Sequence, residues 1–117
     1  MTIERKHVGP RMSLVAIHGN TVFLAGITAD KRGGTSVAEQ TTEILERIDA
    51  LLADAGTSKE QVYKATIWLR DIAAFDEMNA VWDKWVVAGH TPVRATVEAR
   101  LAAPDVLVEI QVDAAKA

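Results

Sequence analysis

The apolar positions of this chain follow two periods, and the predicted elements change where the period changes. Two short β-type runs come first, Met12 to Ile17 and Thr21 to Ala25, joined through His18-Gly19-Asn20. Glycine and asparagine both tolerate positive φ, so the pattern predicts a β-hairpin. A polar loop follows, Asp30 to Thr35, loosened by Gly33 and Gly34. Ser36 and Glu39 then stand three apart as a capping box, each able to satisfy a main-chain donor at a helix start. Behind them Ile44, Leu45, Ile48, Leu51, Leu52 and Ala55 recur at helical steps, and Gly56 suits a left-handed C-terminal stop.

Val62 to Leu69 is dense in β-branched and aromatic residues and predicts a strand. Asp71 is placed to cap a second helix, with Phe75, Met78, Val81, Trp82, Trp85 and Val86 on its inner side and Gly89 after its end. Two more strands are expected, Arg94 to Leu101 and Val106 to Ala114. A loop over residues 102–105 would pair them as an antiparallel hairpin, Leu101 opposite Val106 and Glu98 opposite Glu109. That register puts Ala95, Val97, Val108 and Ile110 under the helices, and Arg94, Thr96, Glu98, Glu109 and Gln111 on the face the helices leave bare. The predicted order is ββαβαββ: an α+β arrangement, a mixed β-sheet with two helices packed on one face. No low-complexity stretch or Pro/Ser-rich linker divides the chain, so residues 1–117 are expected to form one domain. The bare face mixes polar groups with Trp68 or its neighbours, a composition that suits contact with a second copy and so predicts a homo-oligomer.

Charge and composition narrow the chemistry. Thirteen Lys+Arg against sixteen Asp+Glu give a net charge of -3, which disfavours a phosphate-backbone binder. The absence of cysteine removes disulfides, thiolate nucleophiles and Cys-ligated metals. The charged stretch Met1 to Pro10 lacks the apolar segment of a secretory signal, and no apolar run approaches a membrane span, so a cytoplasmic location is expected. His7, His18 and His90 do not stand at metal-ligand spacing, and no nucleotide-binding, zinc-protease or serine-hydrolase motif is present. Arg5, Lys6, His7 and Arg11 read as a solvated N-terminal arm, and Trp82 and Trp85 as core. What remains is Arg94 with Glu109. A guanidinium grips a carboxylate through two parallel hydrogen bonds, and a part-buried carboxylate can orient water or move a proton. From the pattern alone, an interface ion pair without chemistry is the favoured account of the same two residues, because structural ion pairs outnumber catalytic ones.

The run Pro92-Val93-Arg94-Ala95-Thr96-Val97-Glu98-Ala99-Arg100-Leu101, followed by Val108-Glu109-Ile110, resembles the Rid family (YjgF-like, reactive intermediate deaminases). Gly9-Pro10, Leu24-Ala25-Gly26, Gln40-Thr41, Thr66 to Asp71 and Met78 to Trp82 resemble it in the same order. The resemblance implies a chorismate-mutase-like (YjgF-like) fold and a homotrimer with clefts between subunits. It also implies hydrolysis of enamines and imines such as 2-aminoacrylate to a 2-keto acid and ammonia, without a cofactor or metal. By the same resemblance Arg94 holds the substrate carboxylate and Glu109 positions water. Thr96 stands where many members have cysteine and lends main-chain groups, and Gly26 lines the cleft. Arg11 departs from the pattern, since tyrosine is common there. A second cation at that position would select a dicarboxylate or bulkier substrate, or close the pocket. A non-catalytic binder of small carboxylates and, further off, an endoribonuclease are the alternatives.

Overall fold

The computed structural model describes residues 1–117, and its sheet runs in the spatial order β1-β2-β3-β6-β4-β5. The strands are β1 (Ile3–Val8), β2 (Ser13–His18), β3 (Thr21–Leu24), β4 (Val62–Leu69), β5 (Val93–Glu98) and β6 (Val108–Ala115). Two helices, α1 (Val37–Asp54) and α2 (Phe75–Trp85), complete the layer above it. The predicted arrangement, mixed sheet and two helices, is what the molecule shows. It gains one leading strand, because the segment expected to be a solvated arm is β1, paired antiparallel with β2.

Local chemistry explains the secure elements. Ser36 accepts from the Glu39 N–H at 3.1 Å while the Glu39 carboxylate accepts from the Ser36 N–H at 3.0 Å, closing the expected box at the start of α1. The apolar stripe of α1 is buried along its whole length, and Gly56 takes φ +80° after the helix. Asp71 does accept a capping bond, from the Ala73 N–H at 2.9 Å, but it caps a short 3-10 turn (Ile72–Ala74), and α2 starts at Phe75. The Glu77 carboxylate on α2 accepts from the Ala38 N–H in the first turn of α1, which ties the helices together where that helix end attracts negative charge.

The predicted β5–β6 hairpin does not form. β5 lies parallel to β4, and β6 lies antiparallel to β4 on its other side, so a whole strand separates the two. The helix between β4 and β5 is the physical reason: a crossover of that length delivers the next strand parallel to the first. β6 then fits between β3 and β4, antiparallel to both. Leu101 has φ +65°, outside the extended region, and β5 ends at Glu98. The loop from Ala99 to Leu107 is held instead by Gln40 and Arg70. Gln40, fully buried, donates to the Asp105 carbonyl at 2.9 Å and accepts from the Leu107 N–H at 3.0 Å. Arg70 donates to the carbonyls of Val106 and Ala103.

The core lies between helices and sheet, with Val22, Leu24, Ile67, Leu69, Val108, Ile110 and Val112 meeting Ile44, Ile48, Leu52, Met78 and Trp82. The opposite face of the sheet carries no element of this chain. There Ile3, Phe23 and Val97 stay 43–47% exposed and Val93 70% exposed, beside Lys64, Thr66, Glu109, Gln111 and Asp113.

Candidate functional site

The register of three strands decides which way each candidate points. Ala65 of β4 aligns with Arg94 on one side and Val112 on the other; Ile67 aligns with Thr96 and Ile110. Ala65, Ile67, Val112 and Ile110 are buried under the helices, so Arg94 and Thr96 face the helix layer too. Trp68 aligns with Val97 and Glu109, which places Glu109 on the bare face. The expectation that Arg94, Thr96 and Glu109 share the uncovered face is therefore corrected. It came from pairing β5 directly with β6, and the intervening strand reverses the assignment for β5.

Arg94 is half-buried against α2. Its Nη1 donates to Asn79 Oδ1 at 2.8 Å, and its Cζ lies 5.4 Å from the Trp82 ring and 5.7 Å from the Phe75 ring. No carboxylate stands within 4.0 Å of its nitrogens, in contrast to Arg32 and Arg47, which reach Asp105 and Asp30. Trp82 is core, as expected, and also forms one wall for this cation. Thr96 Oγ1 is buried without a hydrogen-bond partner. The main chain of Arg94, Thr96 and Glu98 has a clearer role. Ala99 donates to the Leu69 carbonyl, so the odd-numbered residues of β5 turn their peptide groups to β4. Arg94, Thr96 and Glu98 then present theirs along the free outer edge of the sheet.

Glu109 forms a second cluster with Gly26. After Phe23, which aligns with Asp113, the β3 side gains one residue before Ile27 exchanges both main-chain bonds with Ile110. This bulge at residues 24–26 brings the Gly26 main chain against the Glu109 side chain, and a Cβ at Gly26 would overlap Glu109 Oε2. Glu109 has neither ion pair nor hydrogen bond within the chain, although it is half-buried. Arg11 lies exposed in the β1–β2 turn, where the Gly9 N–H donates to the Met12 carbonyl. That turn stands at the same end of the sheet as Gly26, because the Ala25 N–H donates to Leu14 at the start of β2.

The chain thus holds two separate groups, Arg94 with Thr96 and Glu109 with Gly26. They lie three residues along and two strands across from each other, about 14 Å between α-carbons by strand geometry, and on opposite faces. A groove of about 290 Å³ lies between α1 and α2 and one of about 300 Å³ between α1 and the loop at Lys31 and Thr35, and neither touches either group; a smaller one of about 210 Å³ runs along β4 and β5 at Arg94. Asn79 was not singled out from sequence as a site residue. Its spacing from Phe75 and Trp82, four and three residues, was the available signal.

A family model described as Endoribonuclease L-PSP matches residues 7–116. The chain belongs to that family, the YjgF/RutC group. The RutC family protein YoaB of Escherichia coli is 44% identical over 115 residues, covering 98% of this chain and 99% of the relative. NMB1025 of Neisseria meningitidis, a YjgF family member of known structure, superposes with TM-score 0.96 at 44% identity, covering 100% of this chain and 97% of that one. Rv2704 of Mycobacterium tuberculosis, from the YjgF/YER057c/UK114 family, gives 0.82 at 33% identity over 91% of this chain and 87% of its own. The YjgF-like resemblance read from the Arg94 and Glu109 segments is thereby established at the level of family and fold. No helix is long and apolar enough to cross a membrane.

Proposed function

We propose that this YjgF/RutC family chain is an imine/enamine deaminase, releasing ammonia and a 2-keto acid from substrates of the 2-aminoacrylate type. The observation that carries the proposal is a matched pair of unspent charges. Arg94 is part-buried with no counter-ion, and Glu109 is part-buried with no cation. Burying part of a charge without a partner is costly, and such groups mark places where a ligand or a second copy supplies the partner. In the proposed assembly, a homotrimer, Arg94 on the free edge strand of one copy meets Glu109 on the bare sheet face of the next. The apolar side chains on that bare face, Phe23, Val93 and Val97, suit burial against a neighbour.

The chemistry asks little of the protein. The enamine takes a proton on carbon and becomes an iminium, whose carbon is electrophilic. Water adds there while Glu109 accepts one of its protons, giving a carbinolamine. That proton passes to nitrogen, and as the C–N bond breaks the hydroxyl oxygen forms the C=O bond and gives its own proton to Glu109 and then to solvent, so ammonia and the 2-keto acid leave. Arg94 holds the substrate carboxylate, so the water and the reacting carbon are brought together rather than left to chance encounter. Gly26 gives the carboxylate of Glu109 its room, Thr96 offers main-chain groups beside Arg94, and Arg11 is a candidate for a second substrate anion.

The test is complementation between copies. Arg94→Ala and Glu109→Ala homo-oligomers should each release ammonia from freshly generated 2-aminoacrylate no faster than buffer alone. Unfolding and reassembling the two together should restore activity, because some clefts then combine an intact Arg94 with an intact Glu109. Wild-type turnover in either single variant would reject the site built on Arg94 and Glu109, and ammonia release by the wild type no faster than in buffer would reject the deaminase proposal. Binding of 2-keto acids without turnover by the wild type would favour the non-catalytic binder, and cleavage of RNA with no deamination would favour a nuclease.

A further inference from the structure

Phe75, Asn79 and Trp82 fall at i, i+4 and i+7 on α2, one side of the helix, and all three converge on the Arg94 guanidinium. The two rings flank it and the Asn79 amide oxygen takes one of its N–H groups at 2.8 Å. None of the three carries a charge. Elsewhere in the chain an arginine with a side-chain partner has a carboxylate: Arg32 reaches Asp105 and Arg47 reaches Asp30.

We propose that Asn79 is a positioning residue, which fixes the direction of the Arg94 fork while leaving its charge uncancelled for an incoming carboxylate. The inference rests on the carboxylate grip of the proposed function and specifies what keeps that grip open. An amide oxygen orients a guanidinium through one neutral hydrogen bond. A carboxylate in the same place would take two N–H groups and the charge, and compete directly with the ligand. The aromatic rings act in the same sense, since a ring face attracts the cation without neutralising it.

Calorimetry on the full chain with pyruvate and 2-ketobutyrate, both ionised across the range used, provides the test. In Asn79→Asp, affinity near pH 7 should fall on the order of 10–100-fold, as expected when a part-buried charge pair forms in place of a single neutral bond. Affinity should recover in part as the pH is lowered to the bottom of the carboxylate range, where a fraction of the new aspartate takes up a proton although the guanidinium beside it holds its pKa down. Asn79→Leu, which removes the acceptor without adding charge, should lose about 3–10-fold with no such pH dependence. Chemical denaturation of each variant reports folding separately. A pH-independent loss in Asn79→Asp, or binding equal to the wild type at neutral pH, would overturn the inference while leaving the grip intact. Failure of the wild type to bind either acid would remove the grip itself and the inference with it.

Discussion

Gly26→Ala separates the position of the Glu109 carboxylate from its presence. A methyl group at residue 26 would overlap Oε2 and lie 3.0 Å from Cδ and 3.4 Å from Cγ of Glu109. Gly26 is not among the positive-φ glycines, so alanine can take up its main-chain conformation and the collision falls on the end of a rotatable side chain. Forcing Glu109 off its rotamer costs about 0.5–1.5 kcal/mol, so urea denaturation should show a loss of stability no larger than that. Activity should suffer more. A reacting group misplaced by about 1 Å loses on the order of 100-fold in rate, which puts ammonia release by Gly26→Ala close to that of Glu109→Gln. Affinity for a 2-keto acid should stay within about threefold of the wild type, since that variant leaves Arg94 alone. The control is a cycle: in Glu109→Ala there is no carboxylate to displace, so adding Gly26→Ala should change neither rate nor stability by more than about 0.5 kcal/mol. Wild-type turnover by Gly26→Ala, or an equal loss in the Glu109→Ala background, would refute the idea that Gly26 makes room for a working carboxylate.

Gln40→Leu should destabilise the fold by about 1–3 kcal/mol in chemical denaturation, because it strips the part-buried Leu107 N–H and Asp105 carbonyl of their partner in the buried Gln40 amide. Asp113 gives a pH-dependent outcome. Burial raises its carboxyl above the usual range, against the opposing pull of Lys64 beside it. A raised folded pKa means the native state holds the proton more tightly, so the favourable contribution exists in acid and is lost as pH rises through the folded value. Asp113→Asn should therefore gain stability over the wild type at neutral pH and lose that advantage as the pH falls below the carboxylate range. A constant difference across the pH range, followed by thermal unfolding, would contradict that assignment.

Sequence pattern was sufficient where one element decides its own conformation. The capping box and apolar stripe of α1 act within eighteen residues, and β4 appears with the bounds its β-branched run predicts. β1 escaped the same treatment for a physical reason. Glu4, Arg5, Lys6 and His7 give no apolar alternation, and five of the strand's six residues are exposed in the chain. Its hold comes from main-chain pairing with β2, and from His7, whose ring bonds the Asp54 carboxylate at 2.9 Å. The loop-holding roles of Gln40 and Arg70 were equally out of reach, since their partners are carbonyls and N–H groups over thirty residues away.

The candidate site divides along the same line. Residue type picked out Arg94 and Glu109, because a guanidinium and a carboxylate inside apolar strands are chemically conspicuous. Their facing could not be read from their own strands, because alternation within a strand fixes only which residues share a side, not which side it is. For β5 the side is set by β4: Ala65 and Ile67 are small or apolar and buried, and the parallel register hands their facing to Arg94 and Thr96. For β6 the same strand, through Trp68, turns Glu109 the other way. Val97, which alternation with one buried layer places under the helices, is then left exposed on the bare face beside Val93. A chain whose two charged candidates lie on opposite faces cannot bring both to one small molecule. If both act on the same substrate, the reaction belongs to a pair of copies, and the intervening strand β4 is the element that makes assembly a condition of catalysis.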